Sequence, residues 1–176
     1  FRKNHPEAAA VLGDIAKVTK ANVHSLIGEK SVTAISAGVP CQGFSLSNRK
    51  RWQDDARNFL FREFVRFVDM LNPDIIILEN VSGMRSAKGG QFVRDITQAM
   101  SQAGRGYVVE SRLLNSADYG VPQTRKRLFL IGHKDDGSGT YKFKWPEPTH
   151  IPRKLGYQGE LEDKPGYVTV GEAFCD

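Results

Sequence analysis

The chain has 176 residues, with 25 Lys and Arg against 20 Asp and Glu and a formal net charge of +5. Apolar residues make up 40% and charged residues 26%, which excludes a disordered or fibrous polypeptide and leaves an ordinary globular composition. No apolar run approaches the roughly 20 residues of a membrane-spanning helix. No basic-then-apolar signal segment opens the chain. It begins with Phe1 rather than Met, and the expectation is a window onto a longer polypeptide. The two cysteines, Cys41 and Cys175, form neither a disulfide framework nor a zinc pattern, so a reducing, intracellular compartment is expected. The positive balance suits a polyanionic partner.

Residues 32–37, ending before Gly38, read as a short buried strand. Residues 38–55 form a long polar loop with Gly38, Pro40, Gly43, two serines and the basic cluster Arg49-Lys50-Arg51; a loop of that length inside a domain is usually functional. Phe59, Leu60, Phe64, Phe67, Val68 and Leu71 recur at helical spacing, which predicts a helix over residues 56–71, stopped by Asn72-Pro73. Residues 74–81 hold the most hydrophobic strand, apolar on both faces in the manner of a covered central parallel strand. A second helix is expected over residues 90–103, closed by Gly104. Two further strands follow at residues 107–114 and 127–132, separated by a turn-rich segment with Gly120 and Pro122. Beyond His133 the pattern fades. Alternating strands and helices predict a doubly wound α/β sheet.

Ligands of such sheets bind outside the carboxyl ends of the strands. Two polar signatures lie there: Gly38-Val-Pro-Cys41-Gln-Gly-Phe-Ser45 and Glu79-Asn80-Val81. If their strands are neighbours, a thiol and a carboxylate converge on one rim. Taken singly, Cys41 reads first as a small buried hydrophobe, Glu79 as a solvated strand end and Arg49-Lys50-Arg51 as a solvated basic loop.

Pro40-Cys41-Gln42 with Gly43-Phe44-Ser45, then Glu79-Asn80-Val81, then Gln123-Thr-Arg125-Lys-Arg127, in this order, closely resembles the DNA (cytosine-5)-methyltransferase family. Gly13-Asp14-Ile15, Asp55-Ala-Arg57-Asn-Phe-Leu60-Phe61, Leu114–Pro122 and Val168–Ala173 resemble further family segments. The resemblance runs through residues 1–134, read as a partial catalytic domain, with 135–176 as an irregular extension.

What the resemblance implies is a Rossmann-like, S-adenosylmethionine-dependent methyltransferase sheet acting on duplex DNA. Cys41 would add to cytosine C6 as a thiolate. Glu79 would protonate or hydrogen-bond N3, Arg127 would stabilise O2 and the nearby phosphate, and Arg125 would orient Glu79. Asp14, Ile15, Pro40 and Leu60 would form the S-adenosylmethionine pocket. Gln42, Ser45, Ser47, Arg49, Lys50, Arg51 and Gln123 would contact DNA around a flipped-out nucleotide. No metal or membrane is implied. The full-length enzyme is expected to be monomeric, with a split-chain partner as an alternative, and a prokaryotic cytoplasmic setting follows by resemblance only.

The family's glycine-rich cofactor loop, the acidic residue that holds the ribose, the target-recognition region and the final two motifs have no counterpart here. The expectation is the middle of a methyltransferase with little activity alone. Three other readings stand beside it. An RNA cytosine-5 methyltransferase would carry a different run after Cys-Gln and a Cys-Phe-Thr insert. A non-catalytic homologue would be expected to lose Cys41, Glu79, Arg125 or Arg127. A cysteine hydrolase would pair Cys41 with one of His5, His24, His133 or His150, none of which sits in a motif.

Overall fold

The computed structural model describes residues 2–39, 59–134, 137, 143–153 and 164–175. Four strands form one sheet: β1 (Ala34–Gly38), β2 (Ile75–Val81), β3 (Tyr107–Asn115) and β4 (Lys126–Lys134), in the order β1-β2-β4-β3. The helices are α1 (Lys20–Ile27), α2 (Phe59–Leu71), α3 (Gln91–Gln102) and the short α4 (Val170–Phe174).

β1 and β2 are parallel, and β4 is antiparallel to both β2 and β3. Hence β1, β2 and β3 run in one direction, and β4 alone is inserted against them. The connections explain this. α2 lies between β1 and β2, and α3 between β2 and β3, the crossover length that parallel strands need. Residues 116–125 link β3 to β4 without a long helix, so the chain turns back antiparallel. The sheet is therefore mixed, and only part of it matches the all-parallel pattern expected of a hydrophobic central strand.

Burial along β2 alternates. Ile76, Leu78 and Asn80 are buried, whereas Ile75, Ile77 and Glu79 are half-buried. Ile76 and Leu78 pack with Leu128 and Leu130 of β4, Phe61, Phe64 and Val68 of α2, and Phe92, Ile96 and Met100 of α3. Each such side chain contributes about 1.5–3 kcal/mol by leaving water. The spacing of four between Phe92, Ile96 and Met100 is one stripe of a helix. α3 ends where Gly104 takes a φ of +57°, and the Gly104 amide donates to Asp69 Oδ1 of α2 at 2.6 Å.

At the far end of the sheet from Glu79, the Tyr107 hydroxyl donates to the Pro73 carbonyl at 2.6 Å, and Lys134 pairs with Asp74 at 2.8 Å. These contacts fasten β3 and β4 to the start of β2. A capping box at Thr19 and Asn22 begins α1, and Gly28 at φ +65° ends it.

Candidate active site at the carboxyl ends of β1 and β2

Strand register places Glu79 between two neighbours. Gly38 of β1 lies on one side and Phe129 of β4 on the other. Gly38 is the last residue of β1 and faces the carboxylate. A Cβ there would stand 3.5 Å from Glu79 Oε2. On the other side, Arg127 pairs with Val81 and lies two residues from Phe129. The two-residue period of strands therefore puts its side chain on the same face as Glu79. Arg127 Nε meets Glu79 Oε1 at 2.9 Å, with the two side chains 24% and 33% exposed, and Arg127 Nη1 donates to the Lys126 carbonyl at 2.9 Å. The carboxylate is thus held by a charge-assisted bond yet stays open to solvent.

Asn80 points to the opposite, buried face. Its Nδ2 donates to the Val39 carbonyl at 3.2 Å, and its Oδ1 accepts from the Val81 amide at 2.8 Å. A buried amide must be hydrogen-bonded, and this one secures the chain as it leaves β1. Cys41 follows Val39 by two residues in the sequence. Pro40, Cys41, Gln42, Ser45, Ser47, Arg49, Lys50 and Arg51 lie outside the described residues. The signal for Asn80 was present as an amide at a position that alternates with the buried Ile76 and Leu78.

Arg125 stands before β4 begins, beyond the end of β2, and is exposed. Its carbonyl accepts from the Ser116 amide at 3.0 Å and the Ser116 hydroxyl at 3.3 Å. The motif reading gives the orienting role to Arg125, and the ion pair to Glu79 in the structure comes from Arg127. Gln123 is exposed too; its amide donates to the Val121 carbonyl at 2.7 Å, and its carbonyl accepts from the Ser116 hydroxyl at 3.0 Å. Asp118 ties this loop to later segments. Its carboxylate accepts from the Tyr167 hydroxyl and from Asn115 Nδ2 at 3.3 Å. The hydrogen bond to Asp118, followed by burial, raises the Tyr167 pKa above its ordinary value. The Asp118 carbonyl accepts from the amides of Thr149 and His150.

Beside β1 lies a cavity of about 380 Å³ lined by Ile15, residues 35–39, Leu60, Phe64 and Phe67. Ile15 and Leu60, both named from the sequence, are 39% and 38% exposed at its mouth. Asp14 immediately precedes Ile15 and caps the turn Ile15–Lys17, its Oδ1 accepting from the Ala16 amide at 3.0 Å. The lining is mainly apolar, as is usual for a small-molecule site. The cavity opens alongside Gly38, so it adjoins the Glu79 rim.

Among the described residues no helix is long and apolar enough to cross a membrane, and no group of three His, Cys, Asp or Glu is placed to hold a metal ion.

Known proteins share this chain's sequence and fold. The Type II methyltransferase M1.HphI of Haemophilus parahaemolyticus is 36% identical over 176 residues, covering 99% of this chain and 42% of the relative. M.XorII of Xanthomonas oryzae is 37% identical over 175 residues, covering 98% of this chain and 37% of the relative. The chain therefore spans about two-fifths of the length of these relatives. Among solved structures, a prophage-encoded E. coli protein named as a DNA modification methyltransferase superposes with a TM-score of 0.65 at 26% identity, over 96% of this chain and 42% of that one. The S. pombe Dnmt2 methyltransferase shares the fold, with a TM-score of 0.53 at 20% identity over 82% of this chain and 40% of that one. The family model for C-5 cytosine-specific DNA methylase matches residues 1–170, and this chain belongs to that family.

Proposed function

We propose that this chain carries the base-chemistry site of an enzyme that methylates C5 of a flipped-out cytosine in duplex DNA. The observation that carries the reading is the Glu79–Arg127 pair, set against Gly38 where β1 leads toward Cys41. Similarity to Type II methyltransferases supports a role in restriction–modification.

Cytosine C5 is a poor nucleophile until a nucleophile adds at C6. The Cys41 thiolate forms the Sγ–C6 bond, and the ring electrons move toward C5, N3 and O2. Glu79 donates a hydrogen bond or proton at N3 and reads the exocyclic amine. Arg127 serves two groups: it fixes the Glu79 carboxyl group and offers its remaining N–H groups to O2 and a nearby phosphate. Once C5 carries the methyl group that S-adenosylmethionine would supply, loss of the C5 proton to a base lets the Sγ–C6 bond break and restores the ring. The base must leave the duplex for any of this to occur. Gln42, Ser45, Ser47, Arg49, Lys50, Arg51 and Gln123 supply the hydroxyl, amide and cationic groups suited to holding the opened strand.

The cofactor reading is S-adenosylmethionine, held by Asp14, Ile15, Pro40 and Leu60. When bound it supplies an electrophilic methyl group. Ile15 would pack on the adenine ring, Leu60 would line the same pocket, and Asp14 would accept from the adenine amine. The apolar slot and the adjacent carboxylate support this fit.

The test is transfer of labelled methyl groups by the full-length enzyme to duplex DNA and, separately, to tRNA. Labelled 5-methylcytosine in DNA alone is expected. Label in tRNA alone would favour the RNA-modifying reading, and label in neither would overturn the proposal.

A further inference from the structure

α2 carries a second ion pair, Glu63 with Arg66. Arg66 lies one turn after Glu63, and its Nε and Nη2 meet the Glu63 carboxylate at 2.7 and 2.6 Å. Glu63 is only 8% exposed, and a charge so buried needs a partner of this kind. The same guanidinium reaches out of the helix. Its Nη1 donates to the Val18 carbonyl at 2.9 Å, and its Nη2 donates to the Ile15 carbonyl at 2.8 Å. Those carbonyls bracket the turn Ile15–Lys17, which Asp14 caps. The guanidinium also sits 4.8 Å from the centroid of the Phe67 ring, and Phe67 lines the cavity along with Ile15.

The turn needs such an anchor. It is three residues long and buries none of them, so little apolar packing fixes it against α2. Contacts spanning 48 and 51 residues of sequence substitute for that packing. One planar group with N–H donors along several edges can hold a carboxylate and two carbonyls together. A lysine ammonium cannot span the same three acceptors.

We infer that the Glu63–Arg66 pair is a positioning device for the cavity. It fixes the Asp14–Ile15 edge opposite Leu60 before any ligand arrives. The inference rests on reading the cavity as the S-adenosylmethionine site. Preorganisation of this kind strengthens binding by removing an ordering cost and does not touch the cytosine chemistry at Glu79.

The experiment measures S-adenosylmethionine binding to the full-length enzyme by calorimetry without DNA, together with affinity for a target duplex and kcat at saturating cofactor. Arg66→Ala is expected to weaken cofactor binding tenfold or more, with duplex affinity and kcat held within twofold. Arg66→Lys should recover only part of the loss. Because Arg66→Ala strands the buried Glu63 charge, the paired substitution Glu63→Met with Arg66→Met removes both groups and should show the same selective weakening in a folded protein. Wild-type cofactor affinity in the paired variant, or equal losses of cofactor and duplex affinity, would overturn the inference. An unsubstituted enzyme that binds duplex DNA but no S-adenosylmethionine would overturn the cofactor reading itself, and the inference with it.

Discussion

Glu79 and Arg127 meet across antiparallel strands, Oε1 to Nε at 2.9 Å, although Arg127 is paired in register with Val81. The diagonal reach puts one guanidinium beside the carboxylate while leaving that carboxylate open on the side of Gly38. In the full-length enzyme Arg127→Ala should lower kcat by about 10²–10³-fold, the usual loss for a donor aimed at developing negative charge. Arg125→Ala should cost turnover much less, because Arg125 lies beyond β2 and Arg127 makes the orienting contact. Single-turnover rates of the two variants compare them directly, and a larger loss for Arg125→Ala would reverse the assignment.

Glu79→Gln keeps the shape of the side chain and removes its ability to donate a proton. Turnover should fall by about 10²–10⁴-fold, the range for positioned acid–base groups, with duplex affinity little changed. A gel-shift titration beside the rate measurement separates the two. Weakened binding with an unchanged chemical rate would remove the proton-donor role.

Gly38 sets the space that Glu79 occupies. A Cβ would lie 3.5 Å from Glu79 Oε2, an ordinary contact, so Gly38→Ala should retain most activity. Gly38→Val adds methyl groups that press on the carboxylate. It should cut turnover at least tenfold while shifting unfolding free energy by no more than about 0.5 kcal/mol, the usual range at exposed positions. Equal stability loss and activity loss would make the effect one of folding.

Much of this arrangement was legible from residue pattern, and the reasons differ by element. α2 and α3 were readable because Phe61, Phe64 and Val68, and Phe92, Ile96 and Met100, keep helical spacing against a single core. β2 was readable because four successive aliphatic residues opened it. Its neighbours were not. Nothing in Lys126–Lys134 says that this strand inserts between β2 and β3, since insertion depends on pairing partners far away in sequence. The motif order singled out Glu79 and Arg127, which the structure brings into contact. It could not say which arginine reaches Glu79, because that follows from register. α1 escaped notice because its capping partner is Asn22 rather than the more usual Glu or Gln. The Glu63–Arg66 device was invisible for a similar reason: its acceptors on residues 15 and 18 are backbone carbonyls.

Gly132 offers a test of the core. It pairs with Ile76 and Val109, and an added Cβ would come within 2.7 Å of Ile76 Cγ1 and 3.3 Å of Tyr107 Cβ. Gly132→Ala should therefore destabilise the protein by about 1–3 kcal/mol through overpacking, read as a lower urea midpoint. An unchanged midpoint would show that β2 and β3 move apart freely at this point.

Tyr107 gives a signature at alkaline pH. Burial, followed by the charges of Asp74 and Asp69, raises its hydroxyl pKa from 10.0 to about 12, and that hydroxyl donates to Pro73. The folded state holds the proton more tightly than the unfolded state. Its contribution is complete below pH 10 and is lost as pH rises from 10 toward 12. Unfolding curves in this window should show falling stability, and Tyr107→Phe should remove this component. An identical alkaline decline in the Phe variant would assign it elsewhere.

The central claim is covalent chemistry at Cys41 supported by Glu79 and Arg127, and one measurement meets it directly. The full-length enzyme is incubated with S-adenosylmethionine and a target duplex containing 5-fluorocytosine, in which fluorine replaces the proton that must leave C5. The account predicts a denaturation-resistant complex whose peptide mass locates the nucleotide on Cys41, and no complex with Cys41→Ala. A complex that persists in Cys41→Ala, or an adduct on another residue, would contradict it.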